Sequence, residues 1–79
     1  MLFYETPKLV STQQLKAARA LAGLTQKDLG HIMGVDERQI RFWEKRIPTQ
    51  NRKRRLLEKA LEKAGIECFS DPQIGVRVL

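Results

Sequence analysis

Arg38, Arg41, Phe42 and Lys45 recur at i, i+3, i+4 and i+7 within the stretch DERQIRFWEKR. At the helical period of 3.6 residues these four share one face, and Ile40, Trp43 and Glu44 share the opposite one. A guanidinium carries a rigid fork of donors that matches O6 and N7 of guanine, a contact worth about 1–3 kcal/mol of discrimination. A phenyl ring beside it offers no hydrogen bond but can pack against a thymine methyl group. Glu37 can accept from cytosine N4, or it serves only as a favourable charge at a helix N-terminus. The spacing separates the two adjacent aromatics: Trp43 is expected in the core, Phe42 exposed among cations.

Between Arg38 and Arg55 the chain places eight Lys/Arg and one acid, Glu44. Lys45, Arg46, Arg52, Lys53 and Arg54 are candidate grips for phosphates, which position a protein on a duplex without reading its sequence. The alternative for the run NRKRR is a merely solvated face. With 15 Lys+Arg against 9 Asp+Glu the net charge is +6 on 79 residues. That field favours polyanions, nucleic acid first and an anionic membrane surface second. Membrane-surface anchoring needs an exposed apolar helix face beside the charge, and NRKRR lacks one.

Other chemistries find little material. One histidine, His31, and one cysteine, Cys68, lie on different elements and make no dyad with an orienting third group. No spacing suits a metal and no glycine-rich loop suits a phosphate, so no enzyme activity, cofactor or metal is expected. His31 is expected to be solvated and Cys68 to act as a small apolar residue. A lone cysteine forms no internal disulfide, no run approaches 18 apolar residues, and the start MLFYETPKLV lacks the features of a signal peptide; a cytoplasmic protein is expected.

Four helices must position these residues. Ser11, with Gln14 three residues on, has the capping-box arrangement, and Leu15, Ala18 and Ala22 continue on one face to Gly23. Thr25 opens a second, short helix with Asp28 in its first turn and Leu29, Ile32 and Met33 inward; Gly34 is placed to close it in the left-handed conformation. Asp36 caps a third helix to about Lys45, with Pro48 beyond. Thr49 or Asn51 caps a fourth, whose stripe is Leu56, Leu57, Ala60, Leu61 and Ala64 and whose stop is Gly65. After the turn at Asp71-Pro72, Ile74, Val76 and Val78 alternate as a strand. The expected fold is all-α, a small domain of about four helices with a short C-terminal β-strand. Residues 1–10 form an arm, 11–67 the helical domain and 68–79 a tail. With 42% hydrophobic residues the chain can fold, on a thin core.

The second and third helices carry a small residue, Gly30, a glycine turn, Gly34, and an apolar lock, Ile40, at the offsets of a helix-turn-helix. A side chain at Gly30 would cost less in a helix than glycine does, so a close crossing is expected there. The stretch QLKAARALAGLTQKDLGHIMGV, continuing through Glu44 to LEKALEKAGI and the GVRVL ending, resembles the Cro/repressor-type (XRE) helix-turn-helix regulators of phages and bacteria. The resemblance spans roughly residues 11–79 and implies a lambda-repressor-like fold that binds double-stranded DNA. It places base-reading positions on Glu37, Arg38 and Phe42, to which the helical face adds Arg41. It makes Gln26 a phosphate contact and a brace for the first reading side chain, and Arg19 with Glu44 a structural ion pair. Lys27 and Gln39, near the starts of the second and third helices, join the candidate phosphate contacts. The family usually has alanine where Gly30 stands, so a looser second helix is expected, and a polar reader where Phe42 stands.

A single reading helix covers about half a turn of DNA, so a homodimer on an inverted repeat, most simply a repressor, is the expected arrangement. The strand of Ile74, Val76 and Val78 has no evident partner in a helical domain. It is expected to pair across a two-fold axis or with the Phe3–Tyr4 arm. The alternative is an antitoxin-like or accessory module whose main partner is another protein.

Overall fold

The computed structural model describes residues 7–79, and the Phe3–Tyr4 arm lies outside the described residues. Each helix start follows from a local hydrogen bond. The Ser11 hydroxyl accepts from the Gln14 amide while the Gln14 carboxamide accepts from the Ser11 amide, which opens α1, Thr12–Leu21. Thr25 and Asp28 repeat the exchange at 2.9 and 3.0 Å and open α2, Gln26–Met33. Gly34 closes α2 at φ +75°, the left-handed region that side chains resist. Asp36 accepts from the Gln39 amide at 3.0 Å and starts α3, Glu37–Lys45.

The start of α4, Asn51–Lys63, departs from expectation. Gln50 holds the cap position without a side-chain bond. Asn51 is already helical, and its carboxamide oxygen accepts from Arg54 at 2.6 Å; Thr49 stands one residue too early.

The tail also differs from the expected lone strand. β1, Ile66–Phe69, and β2, Gly75–Val78, pair antiparallel with Ile66 opposite Val78 and Cys68 opposite Val76. β1 gives no signal in the sequence, because IECF follows Gly65 directly and looks like the frayed end of α4. The partner of β2 is therefore in its own chain, and the hairpin runs across the expected boundary at residues 67–68. It packs on α1 and α4.

The core joins Leu9, Leu15, Ala18, Leu29, Ile40, Trp43, Leu57, Ala60, Leu61, Ile66 and Cys68. Leu9 belongs to it although the first ten residues read as an arm: residues 8–10 are held by Gln14, and the Lys8 amide donates to Glu58 at 3.1 Å. Ile32 and Leu56, expected inward, are exposed. In both cases a neighbour one position along, Met33 or Leu57, takes the inward place. An apolar stripe wider than the facing groove leaves its edge in water.

Candidate nucleic-acid interface

The turn between α2 and α3 sets the angle of the reading helix. The Val35 amide donates to the Gly30 carbonyl at 2.8 Å, folding the turn back over α2. A Cβ on Gly30 would stand 2.8 Å from the Val35 oxygen and 3.3 Å from that of Asp36. The close approach expected at Gly30 exists, but it comes from turn backbone rather than from a crossing helix. Gly30 thereby leaves room for the turn backbone to lie against α2.

Inside α3, Ile40, Trp43 and Glu44 are buried as the helical period requires. Glu44, 4% exposed, is the polar knot of the motif. Arg19 reaches it from α1 through Nε and, at 3.3 Å, through Nη2, while Arg19 Nη1 donates to the Leu24 carbonyl at 3.0 Å. Gln26 Nε2 donates at 3.0 Å to Glu44 Oε1, the oxygen that Arg19 Nη2 also reaches. Burial pushes the Glu44 carboxyl up, but the hydrogen bonds from Arg19 and Gln26 and the charges of Arg19 and Lys16 outweigh it. The group stays ionised below the ordinary glutamate range. The knot ties α1, α2 and α3 together. Gln26, half-buried, donates into this knot and braces Glu44.

Outward, α3 presents Arg38, Arg41, Phe42 and Lys45, all exposed, with Phe42 at 55%. Arg38 stands 4.0 Å from Asp36, and Arg41 stands 3.6 Å from Glu37 one turn back. Exposed pairs of this kind are worth about 0–1 kcal/mol, so both guanidinium groups can exchange them for DNA at small cost. Glu37 is engaged with Arg41, which adds to its helix-start role.

Lys27, Arg46, Arg52 and Lys53 are also exposed, and Gln39 is half-buried. Lys53 holds its ammonium 5.9 Å from the Trp43 ring centre, a cation–π contact across α3 and α4 that helical spacing alone could not reveal. Arg54 bends back onto Asn51 and the Thr49 carbonyl, so its present bonds organise the start of α4. An open cleft of about 370 Å³ lies between the end of α3 and the start of α4, walled by Phe42, Trp43, Ile47 and Pro48 and rimmed by Arg46 and Lys53.

The candidate dimer residues separate. Ile74 and Val78 are exposed, whereas Val76 packs against the core opposite Cys68. His31 is exposed, as expected. Cys68 is buried, and burial together with the charges of Glu58, Glu62 and Glu67 pushes its thiol up to about 12, which suits a packing role and leaves little thiolate. Among the described residues no group of three His, Cys, Asp or Glu side chains could hold a metal ion. No helix there is long and apolar enough to cross a membrane.

Gln14 is the functional surprise of the scaffold. The sequence marks it only as a capping partner, yet it is 3% exposed and bonds residues 8–10, the start of α1 and the hairpin at once. Its spacing from Ser11 was the only signal in the sequence.

No curated protein matches the chain. The helix-turn-helix family model HTH_3 matches residues 15–62, more than half of it, from the first core residue of α1 to the last turn of α4. With the capped α2, the left-handed Gly34 and an outward cationic α3 in that same span, the chain belongs to the Cro/repressor-type (XRE) helix-turn-helix family of DNA-binding transcription regulators.

Proposed function

We propose that this protein is a sequence-specific repressor that acts in the cytoplasm as a homodimer on an inverted-repeat operator. The observation that carries the reading is α3 itself: Arg38, Arg41, Phe42 and Lys45 face outward on a helix whose other side is anchored by Ile40, Trp43 and Glu44. Rigidly held side chains of this kind, entering a major groove, read base edges. Arg38 is the guanine reader and Phe42 the apolar contact one turn on. Lys27, Lys45, Arg46, Arg52 and Lys53 hold phosphates, with Gln26, Gln39 and Arg54 beside them and Glu37 at the rim.

Selection of bound sites from random DNA tests the reading. The wild type is expected to enrich an inverted repeat with half-sites about one helical turn apart. Arg38→Ala is expected to weaken the best site by about 5- to 100-fold and to relax one guanine in each half-site. Recovery of no motif by the wild type would sink specific regulation. An unchanged motif in the variant would sink the assignment of Arg38.

Dimerisation is supported by the hairpin. Ile74 and Val78 are 58% and 65% exposed, and Leu79 is exposed beside them. The outer edge of β2 meets no further strand among the described residues. A second copy placed there would cover the apolar side chains and extend the sheet. The double substitution Ile74→Ser, Val78→Ser is expected to shift the protein from dimer to monomer in sedimentation equilibrium, with the helical circular dichroism unchanged. A dimer that persists in this variant excludes the hairpin. Deleting residues 73–79 would be a poorer test, because it also removes β2 and the Gly75 carbonyl that Gln14 holds.

A further inference from the structure

We infer that Phe42 makes binding depend on a 5-methyl group of a pyrimidine in the major groove, so that thymine and 5-methylcytosine are read alike at one position of each half-site. The inference rests on the DNA-binding reading above. Phe42 is more than half exposed on the face that also carries Arg38, Arg41 and Lys45, an unfavourable place for a phenyl ring in water. Among the described residues no cation lies over its ring, whereas Trp43 has Lys53 and Phe69 has Arg77. Arg38 and Arg41, which share its face, are drawn towards Asp36 and Glu37.

Its surroundings suit a small apolar guest. Phe42 forms one wall of the open cleft whose other apolar walls are Trp43, Ile47 and Pro48. Arg46 and Lys53 on the rim attract the sugar–phosphate chain and hold the duplex against this wall. Of the groups that base pairs present in the major groove, donors and acceptors gain nothing from a phenyl ring. The pyrimidine 5-methyl is the one apolar feature there. Thymine carries it always, cytosine only when methylated at C5. A methyl group that leaves water for this contact strengthens binding by about fourfold.

The selected operator provides the test. Each thymine in a half-site is replaced singly by deoxyuridine, and at the position that responds cytosine is compared with 5-methylcytosine. Wild type and Phe42→Ala are titrated on all duplexes. One deoxyuridine position is expected to weaken the wild type about fourfold, and methylation of a cytosine placed there to strengthen it about fourfold; Phe42→Ala is expected to ignore both changes. The exposed ring can be removed without loss of fold, checked by an unchanged melting temperature, and Phe42→Leu is expected to restore part of the methyl response. The inference is overturned if no thymine responds to loss of its methyl, or if Phe42→Ala responds as the wild type does. A response to deoxyuridine without a response to 5-methylcytosine overturns the shared reading of the two bases. Failure of the DNA reading itself looks different, since no operator would then be selected.

Discussion

Replacing Gln14 by leucine is expected to lower the unfolding free energy by about 3 kcal/mol or more, although the two side chains are similar in size. The carboxamide nitrogen donates to the carbonyls of Lys8, Phe69 and Gly75 at 3.0, 2.8 and 3.2 Å. The carboxamide oxygen accepts from the amides of Val10 and Ser11 at 2.7 and 3.1 Å. Two N–H groups serve three carbonyls, so one of those bonds is shared. Leucine fills the space and satisfies none of the five. A buried polar group left without a partner costs about 1–3 kcal/mol. Val10 and Ser11 are half-exposed, so water can replace part of what they lose. The remaining loss is large against the roughly 5–15 kcal/mol that holds a domain folded. Urea denaturation should show a lower midpoint at an unchanged slope. A change below about 1 kcal/mol would mean that the network contributes little.

Gln14→Glu sharpens the same prediction. It keeps an acceptor for Val10 and Ser11 but faces three carbonyl oxygens with a carboxylate. The folded state then holds a proton on this group more tightly than the unfolded chain does. Its stability should rise as pH falls through the raised folded value, because the native state binds more protons in that window. Wild type, with an amide here, lacks this component.

The parts of the fold that were legible in the sequence are those set by neighbours along the chain. Ser11, Thr25 and Asp36 cap their helices as their residue types require, and Gly34 takes the left-handed turn. The separation of Trp43 from Phe42 follows from helical period alone, which no tertiary contact reverses. What could not be read depends on residues far apart in sequence. β1 was missed because four residues after a helix stop carry no period of their own, and only pairing with β2 defines them. Gln14 meets Phe69 and Gly75 more than fifty residues away, so its capping role was visible and its bracing role was not. The same holds for Gln26. The family resemblance makes it a DNA contact, and its bond to Glu44, 18 residues along the chain, had no signal in the sequence. The outward face was legible as chemistry, because exposed cations beside an exposed ring need no distant partner to be recognised.

Glu44→Ala is expected to cost about 3 kcal/mol, since removing one member of a buried ion pair strands the other. The carboxylate is nearly fully buried and is bonded by Arg19 and Gln26. Arg19 keeps its bond to the Leu24 carbonyl, and its side chain is 21% exposed, which places the cost at the lower end of what such losses show. Glu44→Gln should be milder, because an amide oxygen can still accept from one of the two donors. The pH dependence separates charge from shape. The folded carboxyl lies below its unfolded value, so the stabilisation from Glu44 is complete above the unfolded value and is lost as pH falls through the folded one. The stability gap between wild type and Glu44→Gln should therefore narrow on acidification from neutral pH. Asp28 is also held below its ordinary value, chiefly by the Thr25 backbone hydrogen bond, but it is present in both proteins and cancels in the difference. A gap that stays constant down to about pH 3 would show that the ion pair contributes no net charge stabilisation. Because Glu44 sits on the same helix as Arg38 and Phe42 but on its opposite face, its loss should act on DNA through position alone. At a temperature where Glu44→Gln remains folded, affinity should fall while the preferred bases stay the same. A changed motif would instead mean that the knot helps to choose bases as well as to hold α3.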